Sequence, residues 1–361
     1  MHTYMEENMT FTKEQIEIIQ SPEDKVVVMA SAGTSKTTVL TERIKYWLSQ
    51  GVKPEEIVAI TFTVQAGEEM RERLGVENLF CSTVHSYANY ILLTHNIDTK
   101  QYLEEENFDA LFKLVKEHPE VVEPVKYLCL DEAQDSDEEQ FEFIFDILRP
   151  EHFFLCGDVK QCIYSWKGSR PDLFYGAAAV YGAKMYQLTE NFRNSKEILN
   201  FAKWIIEKKL QPIGRIPYYD DSIGLVKNQG FKTTFEYDLR TIVRMVTVDD
   251  HYSDWFILAR TNDRVTEIYN YLKKYDVPVD TFKKADLSHQ DLQKKMHDNT
   301  VKVLTIHAAK GLEANKVIVV DATMSKEEEC RISYVAATRA KHELYWAKKP
   351  IKKKKSIQKW T

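Results

Sequence analysis

Short runs of β-branched and aliphatic residues alternate with amphipathic segments through the first half of the chain. Val26-Val27-Val28-Met29, Ile57-Val58-Ala59-Ile60, Tyr127-Leu128-Cys129-Leu130 and Phe153-Phe154-Leu155-Cys156 read as buried strands. Residues 37–48, 67–74 and 138–148 carry apolar positions at helical spacing. Strands alternating with helices imply a parallel, doubly wound sheet. The second half repeats the pattern less cleanly. Trp255-Phe256-Ile257-Leu258, Val301-Lys302-Val303-Leu304 and Val317-Ile318-Val319-Val320 read as strands, with helices near 195–206 and 265–274. Two α/β domains in tandem are therefore expected, with a junction near residues 183–186.

Composition fits this picture. The 361 residues suffice for two domains, and 43% hydrophobic with 29% charged residues is the profile of a globular chain. No apolar run approaches the roughly 20 residues that span a bilayer. Residues 1–23 carry acids and amides where a signal peptide needs positive charge and then an apolar stretch, so a cytoplasmic protein with no membrane partner is expected. Five cysteines (Cys81, Cys129, Cys156, Cys162 and Cys330) are scattered without metal-ligand spacing, which fits a reducing compartment. The net charge of −6 hides an uneven spread, because Lys348, Lys349, Lys352, Lys353, Lys354, Lys355 and Lys359 close the chain with no acid among them. An acidic body can still hold nucleic acid in a locally basic, aromatic-lined groove. The lysine-rich end reads as a solvated tail, a phosphate-binding segment or a nuclear import signal.

Candidate chemistry begins at Ala30-Ser31-Ala32-Gly33-Thr34-Ser35-Lys36-Thr37, which follows a strand and opens a helix that continues through Thr38. A triphosphate requires that layout: backbone N–H groups at a helix N-terminus wrap the phosphates, a lysine reaches the β and γ oxygens, and a hydroxyl binds Mg²⁺. Ala30 and Ser35 stand where the P-loop pattern has glycines, and Ser35 is the more serious departure because the backbone approaches the ligand there. The plain alternative is a strand–turn–helix. Asp131-Glu132-Ala133-Gln134-Asp135 ends a strand, where open parallel sheets bind ligands. Asp131 would hold Mg²⁺ and Glu132 would polarise the attacking water; the alternative is a solvated acidic turn capping the next helix. Phosphoryl transfer also needs positive charge, for which Arg193 and Arg339, both in the second half, are candidates.

The order of motifs resembles the UvrD/Rep/PcrA family of superfamily 1 DNA helicases. Phe11-Thr12-Lys13-Glu14-Gln15 resembles the Q-motif, Thr61-Phe62-Thr63 motif Ia, Ser82-Thr83-Val84-His85-Ser86-Tyr87 motif Ib, and Asp131-Glu132-Ala133-Gln134-Asp135 the DEAQD box. The run from Gly157 to Gly168, which includes Gln161-Cys162-Ile163-Tyr164-Ser165-Trp166-Lys167, is similar to motif III. Asn191-Phe192-Arg193, Ala259-Arg260-Thr261-Asn262, the run Thr305-Ile306-His307 onward to Glu313, and Tyr334-Val335-Ala336-Ala337-Thr338-Arg339-Ala340 resemble motifs IV, IVa, V and VI in order.

By this resemblance Gln15 would read adenine, Phe192 would stack on it, Glu313 would contact the ribose, Gln161 would sense the γ-phosphate, and Arg193 and Arg339 would face that phosphate. Phe62, Tyr164 and Trp166 would stack on bases, and Thr63, His85, Lys167, Arg260, Asn262 and His307 would contact the strand. Motif Ia departs at Val64-Gln65-Ala66-Gly67, where the family commonly has a lysine. The implied fold is α/β, two tandem RecA-like domains with ATP at their interface: 1–186 with a short helical insert at about 89–125, then 187–347 with a much reduced insert at about 275–300, then the tail 348–361. Both inserts are smaller than the family's usual subdomains. The implied activity is an ATP- and Mg²⁺-dependent single-stranded DNA translocase or 3′→5′ helicase. It would act as a monomer on single strands or a forked duplex, with a loading, replication or repair partner. The rival readings are a remodeller of protein–DNA complexes that does not unwind, and a DNA-binding adaptor with a weakened ATPase.

Overall fold

The hydrophobic runs become the interior strands of two all-parallel sheets. A computed structural model describes residues 11–211, 228–248, 250–283 and 286–348. In chain order the first sheet holds β1 (Lys25–Ala30), β2 (Ile57–Thr61), β3 (Phe80–Thr83), β4 (Tyr127–Leu130), β5 (His152–Gly157) and β6 (Lys184–Leu188). They lie in the order β3-β2-β4-β5-β1-β6, every neighbouring pair parallel. Side chains alternate across such a sheet. Val27 and Met29 of β1 enter one apolar cluster and Val26, Val28 and Ala30 the cluster on the other face.

Helices cover both faces, and several are started by a recognisable signal. α1 (Lys13–Ile19) opens with a capping box between Thr12 and Gln15. α2 (Lys36–Ser49) follows β1, and α3 (Val64–Leu74) and α4 (Val84–Thr94) are N-capped by the Thr63 and Thr83 hydroxyls. Then come α5 (Lys100–Glu104), α6 (Ala110–Glu117), α7 (Glu138–Glu142), which widens into a π-type stretch over Phe143–Leu148, and α8 (Pro171–Tyr181). The segment expected as a short helical insert therefore holds the end of α4 with α5 and α6. It joins the main core, since Leu111, Phe112, Val115 and Val121 sit in the same cluster as β2 and β4.

The second sheet holds β7 (Phe231–Glu236), β8 (Trp255–Ala259), β9 (Val279–Asp280), β10 (Val301–Thr305), β11 (Ala314–Val319) and β12 (Ala340–Lys348), in the order β7-β12-β11-β8-β10-β9, again parallel throughout. Its helices are α9 (Lys196–Ile205), α10 (Leu239–Val246), α11 (Asn262–Lys274), α12 (His289–His297) and α13 (Glu327–Ala337). Between β9 and β10 the only described helix is α12.

The chain falls into two compact units. One holds the described residues as far as Arg193, with Gln211 and Leu287–Asp291; the other holds Asn194–Leu210 and the remaining described residues. The junction expected near residues 183–186 is instead part of β6, which pairs with β1 from Val26↔Lys184 to Ala30↔Leu188. Its first two residues, Lys184 and Met185, are exposed, so the strand lacks the apolar run that marks its neighbours. All five cysteines are free and buried, and burial pushes the Cys81 thiol up to about 11, as expected of inert thiols. No helix among the described residues is long and apolar enough to cross a membrane. The lysine-rich end beyond Lys348 lies outside the described residues.

Candidate functional site

In the first unit, parallel strands bring the C-terminal ends of β1, β4 and β5 to one edge of the sheet, the edge at which such sheets bind ligands. From Ala30 the loop runs through Ser31, Ala32, Gly33, Thr34 and Ser35 into α2. Thr34 Oγ1 donates to Ser31 O at 2.8 Å, closing the turn. Ser35 stands at φ 62°, ψ 38°, a left-handed conformation that costs an L-residue roughly 1–2 kcal/mol. Glycine is favoured at that point of the pattern for its backbone as well as its lack of bulk, and Ser35 adopts the same geometry regardless.

Lys36, the first residue of α2, is buried, and Thr38, two residues further on, is half-buried. Thr37 Oγ1 donates to Asp131 Oδ2 at 2.7 Å, so a hydroxyl from the start of α2 meets a carboxylate from just past the end of β4. Burial pushes the Asp131 carboxyl up to about 6, the neighbouring Glu132 charge adds to the rise, and the Thr37 hydrogen bond and Lys36 oppose it. Glu132 is itself left-handed, at φ 53°. Non-glycine residues hold that conformation only where their surroundings impose it. Here Gln134 Nε2 donates to Glu132 Oε2 at 2.5 Å, while Gln134 Oε1 accepts from the Asp158 N–H at 2.8 Å. Gly157 is required for that bridge, since a β-carbon there would lie 2.5 Å from Gln134 Oε1. Asp158 Oδ2 in turn accepts from Gln161 Nε2 at 2.8 Å.

Asn191, Phe192 and Arg193 lie on this loop, within the first unit, rather than in a second domain beginning at 187. Asn191 Nδ2 donates to Ala32 O at 2.7 Å and the Phe192 N–H to Gly33 O at 2.8 Å. Gly33, at φ 75°, admits them closely: a β-carbon on it would sit 2.8 Å from Arg193 Cβ. The Phe192 ring is 44% exposed and free to offer a stacking face. Glu14 holds the same segment from the other side, accepting from the Thr189 N–H at 2.6 Å and its hydroxyl at 3.0 Å. Gln15 is buried, its Oε1 accepting from the Thr12 N–H at 3.0 Å.

In the first unit the candidate strand-contacting residues leave neighbouring strands. Phe62, after β2, stacks on Tyr164 with centroids 5.0 Å apart. Trp166 is 65% exposed on the turn Ser165–Lys167, with Lys167 Nζ 5.3 Å from its ring centroid. Phe62 and His85 line one shallow pocket with Thr83, Ser136 and Gln140. His85 also stacks on Phe112 and hydrogen-bonds Asp109 at 3.0 Å. The Thr63 hydroxyl is used as the α3 cap. Gln65, at the departure from the family's lysine, donates to Leu287 O at 3.0 Å.

In the second unit the candidates separate to opposite edges of the sheet. Arg339 is 1% exposed, with Nε, Nη1 and Nη2 donating to Val335 O, Leu312 O and Thr338 Oγ1 at 3.0, 3.2 and 3.1 Å. Glu313 pairs with Lys341 Nζ at 2.7 Å. Both lie where β11 and β12 begin. Arg260, Asn262 and His307 lie where β8 and β10 end, with Arg260 Nε 3.3 Å from Glu329 Oε1.

The UvrD/REP helicase N-terminal domain family matches residues 11–119 and 108–181, and the UvrD-like helicase C-terminal domain family matches 186–288 and 280–349. The chain belongs to the UvrD-like helicases. Among curated UvrD-like relatives, a protein of Acanthamoeba polyphaga mimivirus provisionally named an ATP-dependent DNA helicase is 26% identical, over 86% of this chain and 48% of its own length. The ATP-dependent DNA helicase PcrA of Staphylococcus epidermidis is 25% identical over 73% of this chain and 50% of its own. A DNA helicase II homologue of Mycoplasma capricolum is 24% identical, covering 73% and 51%. The chain thus spans about half the length of the relatives it matches.

Within this UvrD-like site, several residues escape sequence reasoning. Gln134 and Lys160 stand inside quoted motifs but carry no marked chemistry until the fold places them beside Glu132 and Ser31. Glu14 and Thr189 are 175 residues apart, and no spacing rule joins them.

Proposed function

We propose that this chain is an ATP-driven motor that moves along single-stranded DNA, in the 3′→5′ sense its family resemblance implies. The observation that carries the proposal is the Thr37–Asp131 hydrogen bond beside Lys36. One hydroxyl and one carboxylate oxygen at the mouth of a phosphate loop form the small, hard, oxygen-only seat that suits Mg²⁺, which keeps its remaining positions for phosphate and water. When bound there, Mg²⁺ would draw charge from the β and γ oxygens. Lys36 would hold the same oxygens, and Glu132, oriented by Gln134, would take up the proton of the attacking water. Gln161 would report the terminal phosphate, with Arg193 and Arg339 supplying the guanidinium charge. Gln15 and Phe192 would hold the adenine and Glu313 the ribose.

The strand would run over the Phe62–Tyr164 stack and Trp166 in the first unit, and over Arg260, Asn262 and His307 in the second. Such a track accepts any sequence, because every base presents a stacking face. The bond from Gln134 to Asp158 and the turns that follow supply a covalent and hydrogen-bonded route from the water-activating carboxylate to Tyr164 and Trp166.

Whether the motor separates strands or only clears proteins from them is decided by two assays run together. One monitors a forked duplex, and the other displacement of streptavidin from biotinylated single strands. The short connection between β9 and β10 favours displacement as the stronger activity. Unwinding without displacement would reverse that order, and neither activity despite DNA binding would point to an adaptor.

A further inference from the structure

Lys160 is 2% exposed, an unusual place for a long amine, since charged side chains are rarely so buried unless they meet a counter-group. Its Nζ donates to Ser31 Oγ at 2.8 Å, which brings an ammonium from the loop after β5 into the phosphate loop after β1. The reach is built in. Asp158 Oδ1 accepts the Lys160 N–H at 3.0 Å while Oδ2 accepts Gln161 Nε2 at 2.8 Å, so one carboxylate orients both consecutive residues. Topology says where they point. β5 lies between β1, whose loop wraps the phosphates, and β4, which carries Asp131 and Glu132. A phosphate attacked by water that Glu132 activates must sit between that loop and those carboxylates. Groups leaving the end of the intervening strand border that space.

We infer that Lys160 is a second phosphate-facing lysine, which binds the terminal phosphate alongside Lys36. The inference rests on the nucleotide site proposed above. Without nucleotide the ammonium is held by Ser31; with a triphosphate bound it donates a hydrogen bond to a non-bridging γ oxygen. The proton stays on Nζ throughout, so the contribution is charge neutralisation and not proton transfer. A diphosphate lacks the group that Lys160 contacts, so its effect is confined to ATP.

The test compares binding of ADP and of a non-hydrolysable ATP analogue, each with Mg²⁺, to the wild type and to Lys160→Met and Lys160→Arg. Methionine keeps the length of the apolar stem and removes the charge. Expected for Lys160→Met is a roughly 10- to 100-fold loss of analogue affinity, the scale of one charge-assisted hydrogen bond, with ADP affinity changed about twofold at most. Lys160→Arg is expected to keep most of the preference for the analogue. Equal losses for both nucleotides would show a prop for the loop and overturn the inference, as would unchanged binding of both. Should the methionine variant not fold, loss of the preference in Lys160→Arg would overturn it as well. A wild type that binds neither nucleotide would remove the site itself and this role with it.

Discussion

Asp131 is a buried carboxyl, proposed above to hold Mg²⁺, and removing its charge has a calculable consequence. Its pKa is raised from the ordinary 3.8 to about 6, chiefly by burial and then by Glu132. A carboxyl shifted upward stabilises the fold most at low pH: below 3.8 both folded and unfolded chains hold the proton. Above that the unfolded chain releases it first. Stability therefore falls as pH rises from about 4 to about 6 and is level beyond, a total loss of ~3 kcal/mol. Asp131→Asn is isosteric, keeps an acceptor for Thr37 Oγ1 and has no charge to desolvate. Its advantage over the wild type should grow with pH, by an amount on the order of 1–2 kcal/mol between pH 5 and pH 7.5. The growth is the firmer quantity, because any fixed packing difference between the amide and the neutral acid cancels. Urea denaturation of both proteins at the two pH values, without nucleotide or Mg²⁺, measures it. The same variant should lose ATP hydrolysis and the thermal protection that Mg²⁺ with ATP is expected to give the wild type. An advantage that is constant with pH, or that shrinks as pH rises, would refute the reasoning.

Two other substitutions test neighbouring parts of the account. Ser35→Gly relieves a left-handed residue, worth roughly 1–2 kcal/mol, but loosens the unfolded chain by about 0.5–1 kcal/mol, so stability should rise by about 1 kcal/mol or less. It also clears a β-carbon from the phosphate loop, so ATP turnover should increase; slower turnover in steady-state assays would mean that the serine hydroxyl contributes to the site. Trp166→Ala should weaken single-strand binding by roughly 1–3 kcal/mol while leaving the melting temperature unchanged, since the ring is mostly in solvent. Fluorescence anisotropy showing equal affinities would take Trp166 off the track.

Central strands were legible in the sequence and outer ones were not. The seven runs read as strands became β1, β2, β4, β5, β8, β10 and β11, all interior in their sheets and, Lys302 of β10 aside, largely apolar where buried. The edge strands β3, β6, β7 and β9 pair along one side only among the described residues. β12 is interior but only half-buried along its length, and its Ala340-Lys341-His342-Glu343 start carries little apolar signal. The same blindness placed the junction inside β6 and assigned Asn191, Phe192 and Arg193 to the second domain. Their attachment to the first unit depends on hydrogen bonds from the Asn191 amide and the Phe192 N–H to the Ala32 and Gly33 carbonyls, which no local pattern announces. In the site, residues whose type alone suggests chemistry (Lys36, Thr37, Asp131 and Glu132) were readable from motif spacing. Those whose part depends on being buried beside them, such as Gln134 and Lys160, required the fold.

The proposed motor hydrolyses ATP in response to a single strand. The most direct measurement is the steady-state ATPase rate of the purified chain with Mg²⁺, alone, with single-stranded DNA and with RNA, beside Lys36→Ala. Expected are a low basal rate that rises severalfold with single-stranded DNA, and a Lys36→Ala variant that binds the strand normally and hydrolyses nothing. A rate indifferent to the strand, or a Lys36→Ala variant as active as the wild type, would contradict it.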